Sequence, residues 1–228
     1  MKLAILETGA PPPTLQPRFG TYPGMFNTLL GGTYDSFNVQ NLEFPDQPET
    51  YDAYLITGSS SGVYDDLPWI EPAKAFLRSA KGKAKLVGVC FGHQLMAETF
   101  GGKVIKSPKG WGIGLHGYEV RRLEPWMERV HHITAPASHQ DQVVEQPPLT
   151  EVVVASAFTP LAGLAYQDQP AISFQFHPEF EPDYAAALIE GRIDTRYDRD
   201  FAEAAIESLK APNDRLKVGG WIKRFLQG

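Results

Sequence analysis

Residues 86–94 read Leu-Val-Gly-Val-Cys-Phe-Gly-His-Gln and form the most informative segment of the sequence. The apolar run Leu86–Val89 predicts a buried strand, and the pattern of Phe91–Phe100 predicts a helix that begins directly after it. Cys90 therefore lies on a sharp turn between a strand and a helix. Glycines two residues before and two residues after it relieve the crowding that such a turn causes. Because a helix N-terminus favours the thiolate, the pattern predicts a nucleophile at Cys90 and not a small buried core residue.

On both sides of this turn, short apolar runs alternate with helical patterns, which predicts a parallel sheet wrapped by helices. The predicted strands outside residues 86–89 are Lys2–Leu6, Ser36–Phe44, Tyr54–Ile56, Gly117–Arg121, Val143–Val144, Glu151–Ala155, Leu161–Ala165 and Ala171–Phe176. The other predicted helices are Gly24–Leu30, Pro68–Ala80, Asp183–Glu190, Arg199–Leu209 and Asp214–Leu226. We find no internal repeat and no long linker, so residues 1–228 are predicted to form one domain.

Composition excludes several classes of protein. The 228 residues are 43% hydrophobic and 21% charged, which is typical of a globular chain. The net charge of −6, without a basic run, argues against nucleic acid or an anionic membrane as a partner. The single cysteine excludes an intrachain disulfide and a cysteine-rich zinc site. The N-terminus turns polar at Glu7 and no apolar run approaches a membrane span of about 20 residues, so we expect a cytoplasmic protein.

A nucleophilic cysteine needs a base, and His177 is the best placed of the six histidines. It follows the predicted strand Ala171–Phe176, and Glu179 comes two residues later. Alternate residues of an extended chain point to the same side, so Glu179 can hold the His177 imidazole in the required tautomer. His93, one helical turn beyond Cys90, is instead expected to support the turn.

Taken together, Gly-x-Cys-x-Gly-x-Gln at 88–94 and His-x-Glu at 177–179 resemble the triad-type class I glutamine amidotransferases. The chain looks like a stand-alone member of this family and resembles the GMP-synthase-type glutaminase domain. The resemblance implies an open, mostly parallel sheet flanked by helices, a flavodoxin-like three-layer α/β fold, with the site at the carboxyl ends of the strands. It also implies hydrolysis of the γ-amide of glutamine through a cysteinyl thioester, without a cofactor or metal. In that chemistry Cys90 attacks, His177 transfers protons and Glu179 orients His177.

The same resemblance assigns further positions. Backbone N–H groups at Gly58 or Ser59, with that of Phe91, would form the oxyanion hole. Gln94 matches the glutamine beside the bound substrate, and the stretch 138–141 resembles the one that contacts the substrate's α-amino and α-carboxylate groups. The substrate-binding residues implied are Gln94, Ser138, Gln140 and Asp141. The serine-rich loop at 59–61 differs from the Gly-Gly-Pro of synthetase-linked relatives and looks like that of stand-alone members.

Three functions stay open at this point. The first is hydrolysis of free glutamine, with ammonia released to water or to a synthetase partner. The second keeps the triad and acts on another small molecule, a γ-glutamyl peptide. The third is that of a non-catalytic regulatory or binding protein, and the intact triad argues against it. The chain has no Gly-x-x-x-x-Gly-Lys-[Ser/Thr] loop, so it cannot complete an ATP-dependent amination alone.

The proline-rich connection Gly9–Tyr22 is long for a link between a strand and a helix. It leaves the carboxyl end of the first predicted strand, at the same sheet edge as Cys90. We expect it to lie over the mouth of the site, with Arg18 and Tyr22 reaching inward toward the leaving group. A solvent loop without function is the alternative.

Overall fold

The computed structural model describes all 228 residues and contains eleven strands and seven helices. The strands are β1 Leu3–Glu7, β2 Asp35–Asn38, β3 Ala53–Ile56, β4 Lys85–Val89, β5 Lys103–Lys106, β6 Gly112–Val120, β7 His132–His139, β8 Asp141–Glu145, β9 Thr150–Ala155, β10 Gly163–Tyr166 and β11 Ala171–Phe174. The helices are α1 Gln16–Phe19, α2 Tyr22–Leu30, α3 Ile70–Ala80, α4 Phe91–Thr99, α5 Pro182–Glu190, α6 Arg199–Ser208 and α7 Arg215–Gln227.

Nine of the strands form one sheet in the order β2-β1-β3-β4-β11-β10-β9-β6-β7. The first five of these are parallel neighbours, and the remaining four pair antiparallel. The order of the parallel part is the flavodoxin-like one. β4 lies between β3 and β11, so the carboxyl ends of these three strands meet at one edge. This confirms the predicted α/β fold with an open, mostly parallel sheet.

Helices cover both faces of the sheet, because successive residues of each buried strand point to opposite sides. In β1, Leu3 and Ile5 belong to the core on the side of α2 and α7. Ala4 and Leu6 belong to the core on the side of α3 and α4. A third, smaller cluster joins α5 and α6 to the start of α2. The layers are those of the predicted three-layer arrangement.

The structure corrects the predicted strand Ser36–Phe44. Strand β2 ends at Asn38, whose side chain accepts a hydrogen bond from the Gln40 N–H at 3.0 Å and begins a 3₁₀ turn. Leu42 then adopts a left-handed conformation with φ of 62°, which ends any extended pairing. The alternating pattern of apolar residues reflects partial burial of this turn and not a strand.

Two strands, β5 and β7, were not predicted from the sequence. Strand β7 contains Pro136 and begins with the exposed His132, and neither residue favours a central strand. The strand lies at the edge of the sheet and pairs only with β6, where a proline is tolerated. Its position matters for function, because it carries Ser138 and His139 toward the carboxyl end of β11.

The helices of the structure are too short or too polar for membrane spanning: none has the length and apolar character that crossing a bilayer requires.

Candidate active site

Cys90 occupies a strained turn between β4 and α4. Its backbone has φ of 53° and ψ of −104°, a combination that a side chain with a Cβ adopts only under constraint from its surroundings. The Cys90 N–H donates to the Phe174 carbonyl at 2.8 Å, which holds the turn against β11. The side chain is 95% buried as part of the cavity floor. The predicted turn between strand and helix is confirmed.

The glycines flanking Cys90 are required by close backbone contacts. A Cβ at Gly88 would lie 2.6 Å from the Gly92 carbonyl oxygen. A Cβ at Gly92 would lie 2.3 Å from the Ile56 carbonyl oxygen, on the neighbouring strand β3. Real Cβ atoms do not approach oxygen this closely, so only glycine allows the turn to pack against β3.

His177 lies three residues beyond β11 and is held from three directions. Its N–H donates to the Pro136 carbonyl at 2.8 Å, and its ring stacks on Phe180 with centroids 3.9 Å apart. Its Nδ1 lies 2.7 Å from Oε1 of Glu179, and both side chains are buried. A proton on Nδ1 satisfies this contact and leaves Nε2 free for chemistry.

The structure brings His177 and Cys90 to the same loop. A Cβ on Gly58 would lie 3.2 Å from Cε1 of His177 and 3.7 Å from Cβ of Cys90. Burial alone would lower the pKa of the imidazole, but the electrostatic interactions and hydrogen bonds with Cys90 and Glu179 together outweigh burial and raise the pKa of His177 to about 10. The arrangement thus favours the protonated imidazolium form of His177 at neutral pH.

His93 has a different environment. Its Nδ1 lies 2.8 Å from the Ser173 hydroxyl, inside the protein, and the ring is not part of the cavity wall. Burial lowers the pKa of His93 to about 3, so the ring is neutral. His93 ties α4 to β11, the supporting position that the sequence predicts.

Three backbone amides beside Cys90 have no acceptor within the chain. The N–H groups of Gly58, Ser59 and Phe91 donate to no backbone or side-chain atom, whereas the next amide along, that of Gly92, donates to the Thr57 carbonyl at 3.0 Å. Phe91 is also the first residue of α4, where the helix dipole favours negative charge. These amides are available to an oxyanion.

The residues predicted to bind the glutamyl group all line the cavity that contains Cys90. Nε2 of Gln94 donates to the Asp141 carbonyl at 2.9 Å, which joins α4 to the start of β8. The Tyr64 hydroxyl donates to the Asp141 carboxylate at 2.9 Å, and burial raises the pKa of that carboxyl. Ser138 and Gln140 line the same cavity.

The cavity above Cys90 has a volume of about 1090 Å³. Ligand pockets usually occupy roughly 300–1,000 Å³, so there is room for more than one glutamine. Its rim contains Gly9–Pro13, Gln16 and Tyr22, which confirms the predicted position of the proline-rich segment. Tyr22 is buried and stacks on Phe180 with centroids 5.9 Å apart, so it reaches inward as predicted.

The prediction for Arg18 is wrong. Its guanidinium lies over the Phe19 ring at 4.5 Å and pairs with Asp183 at 3.7 Å on the exposed surface. Residues 16–19 form the short helix α1, whose inward side is taken by Leu15 and Phe19 packing on the third core cluster. Arg18 therefore points outward.

Sequence reasoning missed several cavity residues. Among them are the cations Arg192 and Arg196, which follow α5, and Lys106 at the end of β5. No motif marks them. The sequence offered one indication of their position. A helix that begins just after His-x-Glu can end near the cavity, and this would place the residues that follow Glu190 close to it.

Comparison with known proteins agrees with this geometry. Residues 33–190 match the family model for "Glutamine amidotransferase class-I". The chain belongs to this family. It is 30% identical over 223 residues to γ-glutamyl peptidase 4 of Arabidopsis thaliana, covering 92% of this chain and 88% of that protein.

Two further comparisons cover most of the chain. A subunit of the glutamine-hydrolysing GMP synthase from Ignicoccus hospitalis is 30% identical over 180 residues, covering 74% of this chain and 90% of that protein. A glutamine amidotransferase of Thermotoga maritima, at 18% identity, superposes with a TM-score of 0.78 and covers 100% of this chain and 99% of the other. The last comparison concerns the fold alone. Membership of the class I family, which includes γ-glutamyl peptidases, supports the conclusion that this chain is a hydrolase.

Proposed function

We propose that the chain hydrolyses γ-glutamyl amide bonds through a thioester on Cys90. One observation carries the proposal. A strained turn holds Cys90 in the same cavity as the His177 ring, which is hydrogen-bonded to Glu179. Strain of this kind persists where function requires the side chain to be presented in one orientation. A regulatory protein without catalysis has no chemical need for the three residues in this arrangement.

The reaction follows from the positions of the groups. The thiolate sulfur of Cys90 forms a bond with the γ-carbonyl carbon, and the carbonyl π electrons move onto oxygen. The resulting oxyanion accepts hydrogen bonds from the amides of Phe91 and of Gly58 or Ser59. The C–N bond then breaks as His177 gives its proton to the leaving nitrogen. Water, deprotonated by His177, next cleaves the thioester to release glutamate and restore Cys90.

The leaving group is either ammonia from glutamine or an amine from a γ-glutamyl peptide. The cavity volume and its rim of Gly9–Pro13 favour the larger substrate, and the named γ-glutamyl peptidase relatives point the same way. Glutamine with a synthetase that accepts the ammonia is the second candidate, supported by the likeness to the GMP synthase subunit of Ignicoccus hospitalis. The one cysteine is free and forms no disulfide, which fits the reducing cytoplasm as the location we propose.

The test is incubation of the purified protein with glutamine and, separately, with γ-glutamyl dipeptides while glutamate release is followed. We expect release from at least one of them, and a loss of several orders of magnitude in Cys90→Ser with the fold retained. No release from any of them, or undiminished release by Cys90→Ser, would exclude the proposal.

A further inference from the structure

Two arginines at the cavity have no acidic partner. Arg192 and Arg196 lie just beyond α5 and line the cavity. Nη1 of Arg192 donates to the Tyr197 hydroxyl at 3.4 Å, and the Arg196 guanidinium lies over the Trp111 ring at 5.6 Å. Other arginines of this region each pair with a carboxylate: Arg18 with Asp183, Arg199 with Asp194, and Arg215 with Glu181.

The backbone around the two arginines is firmly held. The amides of residues 195, 196 and 197 all donate to the Arg192 carbonyl, at 2.9–3.3 Å. Ile193 forms a bridge with Tyr197, whose ring is buried and packs on Trp111. Since the backbone of this segment is already ordered, little backbone conformational entropy is lost when a guanidinium binds a ligand.

Arg192 belongs to the wall that continues from His177. Leu188, one helical turn earlier in α5, lines the cavity and packs in the same cluster as Tyr22 and Phe180. Burial raises the pKa of Tyr184 to about 12, and the positive charge of Arg192 opposes that rise, so this charge is felt among the rings behind His177. The residues predicted to bind the glutamyl half include Gln94 and Asp141, which are hydrogen-bonded to each other and not to Arg192.

His177 delivers its proton to the leaving nitrogen, so the wall beside it faces the leaving group. We propose that Arg192, with Arg196 beside it, binds a carboxylate on the leaving amine. The preferred substrates are then γ-glutamyl amino acids and peptides that end in a free carboxylate near the cleaved bond. Arginine suits this position because its planar guanidinium can hold a carboxylate through two hydrogen bonds. Ammonia, the leaving group of glutamine, has nothing to place there. This inference rests on the proposed function.

Two substrates that differ only in the relevant group provide the test. γ-Glutamyl-glycine carries the carboxylate, and γ-glutamyl-glycinamide replaces it with an uncharged amide. We expect kcat/KM of the full chain to favour the acid by about tenfold or more, the scale of one charge-assisted hydrogen bond. In Arg192→Gln the ratio should fall to near one, in Arg196→Gln it should fall less, and Arg192→Lys should retain part of it.

Two control variants separate this effect from general damage. Arg121→Gln removes an exposed arginine outside the cavity and should leave both rates unchanged. Lys106→Gln removes a cavity cation close to Asp141 and should change kcat/KM for both substrates by the same factor. Thermal melting of each variant reports whether it is folded.

A wild-type ratio at or below one, or a ratio that Arg192→Gln leaves unchanged, overturns the inference. If Arg192→Gln does not fold, the Arg192→Lys and Arg196→Gln ratios decide on the same criterion. If neither compound is hydrolysed, binding to Cys90→Ser decides the inference separately. The proposed function itself fails only if glutamine and other γ-glutamyl dipeptides also release no glutamate. Calorimetry with Cys90→Ser should show tighter binding of the acid than of the amide, and loss of that difference with Arg192→Gln added; equal binding of the two compounds refutes the carboxylate site.

Discussion

Replacement of Gly92 by alanine should damage stability and activity together. The added Cβ would lie 2.3 Å from the Ile56 carbonyl oxygen and 2.9 Å from the Ile56 carbonyl carbon and Cβ. An ordinary van der Waals contact is 3.4–4 Å, so the contact with the carbonyl oxygen is more than 1 Å too short. The Ile56 atoms belong to a central strand that is hydrogen-bonded on both sides, so α4 must move and β3 cannot.

Overpacking of this kind costs typically 1–3 kcal/mol, and the rigid backbone places Gly92→Ala at about 3 kcal/mol. For a chain of this length each kcal/mol lowers Tm by about 2–4 °C, so a decrease of roughly 6–12 °C is expected. A shift of α4 also moves Cys90 and the Phe91 amide, and a misplacement of about 1 Å lowers kcat roughly 100-fold.

Differential scanning calorimetry and glutamate release measure the two effects. Gly117→Ala is the matched control, because a Cβ there meets no atom within 4 Å and Gly117 lacks a positive φ. If Gly92→Ala has the same Tm and the same kcat as Gly117→Ala, the close approach of α4 to β3 does not determine the conformation of the turn.

Two further predictions concern His177. His177→Asn should abolish turnover nearly as completely as loss of Cys90. Glu179→Gln should lower kcat by at most about 10⁴-fold, because an orienting residue acts through the base. If activity survives His177→Asn but is lost in His93→Asn, then His177 is not the base. Because the folded-state pKa of about 10 exceeds the ordinary value of 6.5, protonated His177 stabilises the fold fully below about pH 6.5 and this contribution disappears as pH rises to about 10. The difference in Tm between wild type and His177→Asn should shrink over that range, and a constant difference would refute the raised pKa.

The local parts of the site could be predicted from sequence because their geometry depends on near neighbours. Gly88, Cys90 and Gly92 determine one tight turn, and His177 and Glu179 are two residues apart. Short-range sterics place the Cys90 turn. The expected pair of His177 and Glu179 is found, but the predicted strand Ala171–Phe176 ends at Phe174. The two side chains meet because residues 177–180 form a turn, in which the Phe180 N–H donates to the His177 carbonyl at 3.4 Å, and not because the chain is extended.

Other parts depend on how distant elements pack and have no local pattern. Arg18 was expected to face inward. Its neighbours Leu15 and Phe19 pack on the third core cluster instead, and this turns Arg18 outward. Strand β7 was missed because Pro136 is acceptable only at a sheet edge, and the sheet order is not visible in a single sequence. Arg192 lies in the cavity because of the path of the chain after α5, which again is a tertiary property.

The hydrogen bond from the Cys90 amide to the Phe174 carbonyl has a consequence for biosynthesis. The ribosome synthesises β4 early. Strand β11, which pairs with β4 on the side away from β3, follows about 85 residues later, and His177 comes directly after it. Contacts between such distant segments form slowly and only after both have left the ribosome. In a growing chain the Cys90 amide therefore lacks its acceptor, and the geometry of the turn is completed only when β11 has been made and has docked on β4.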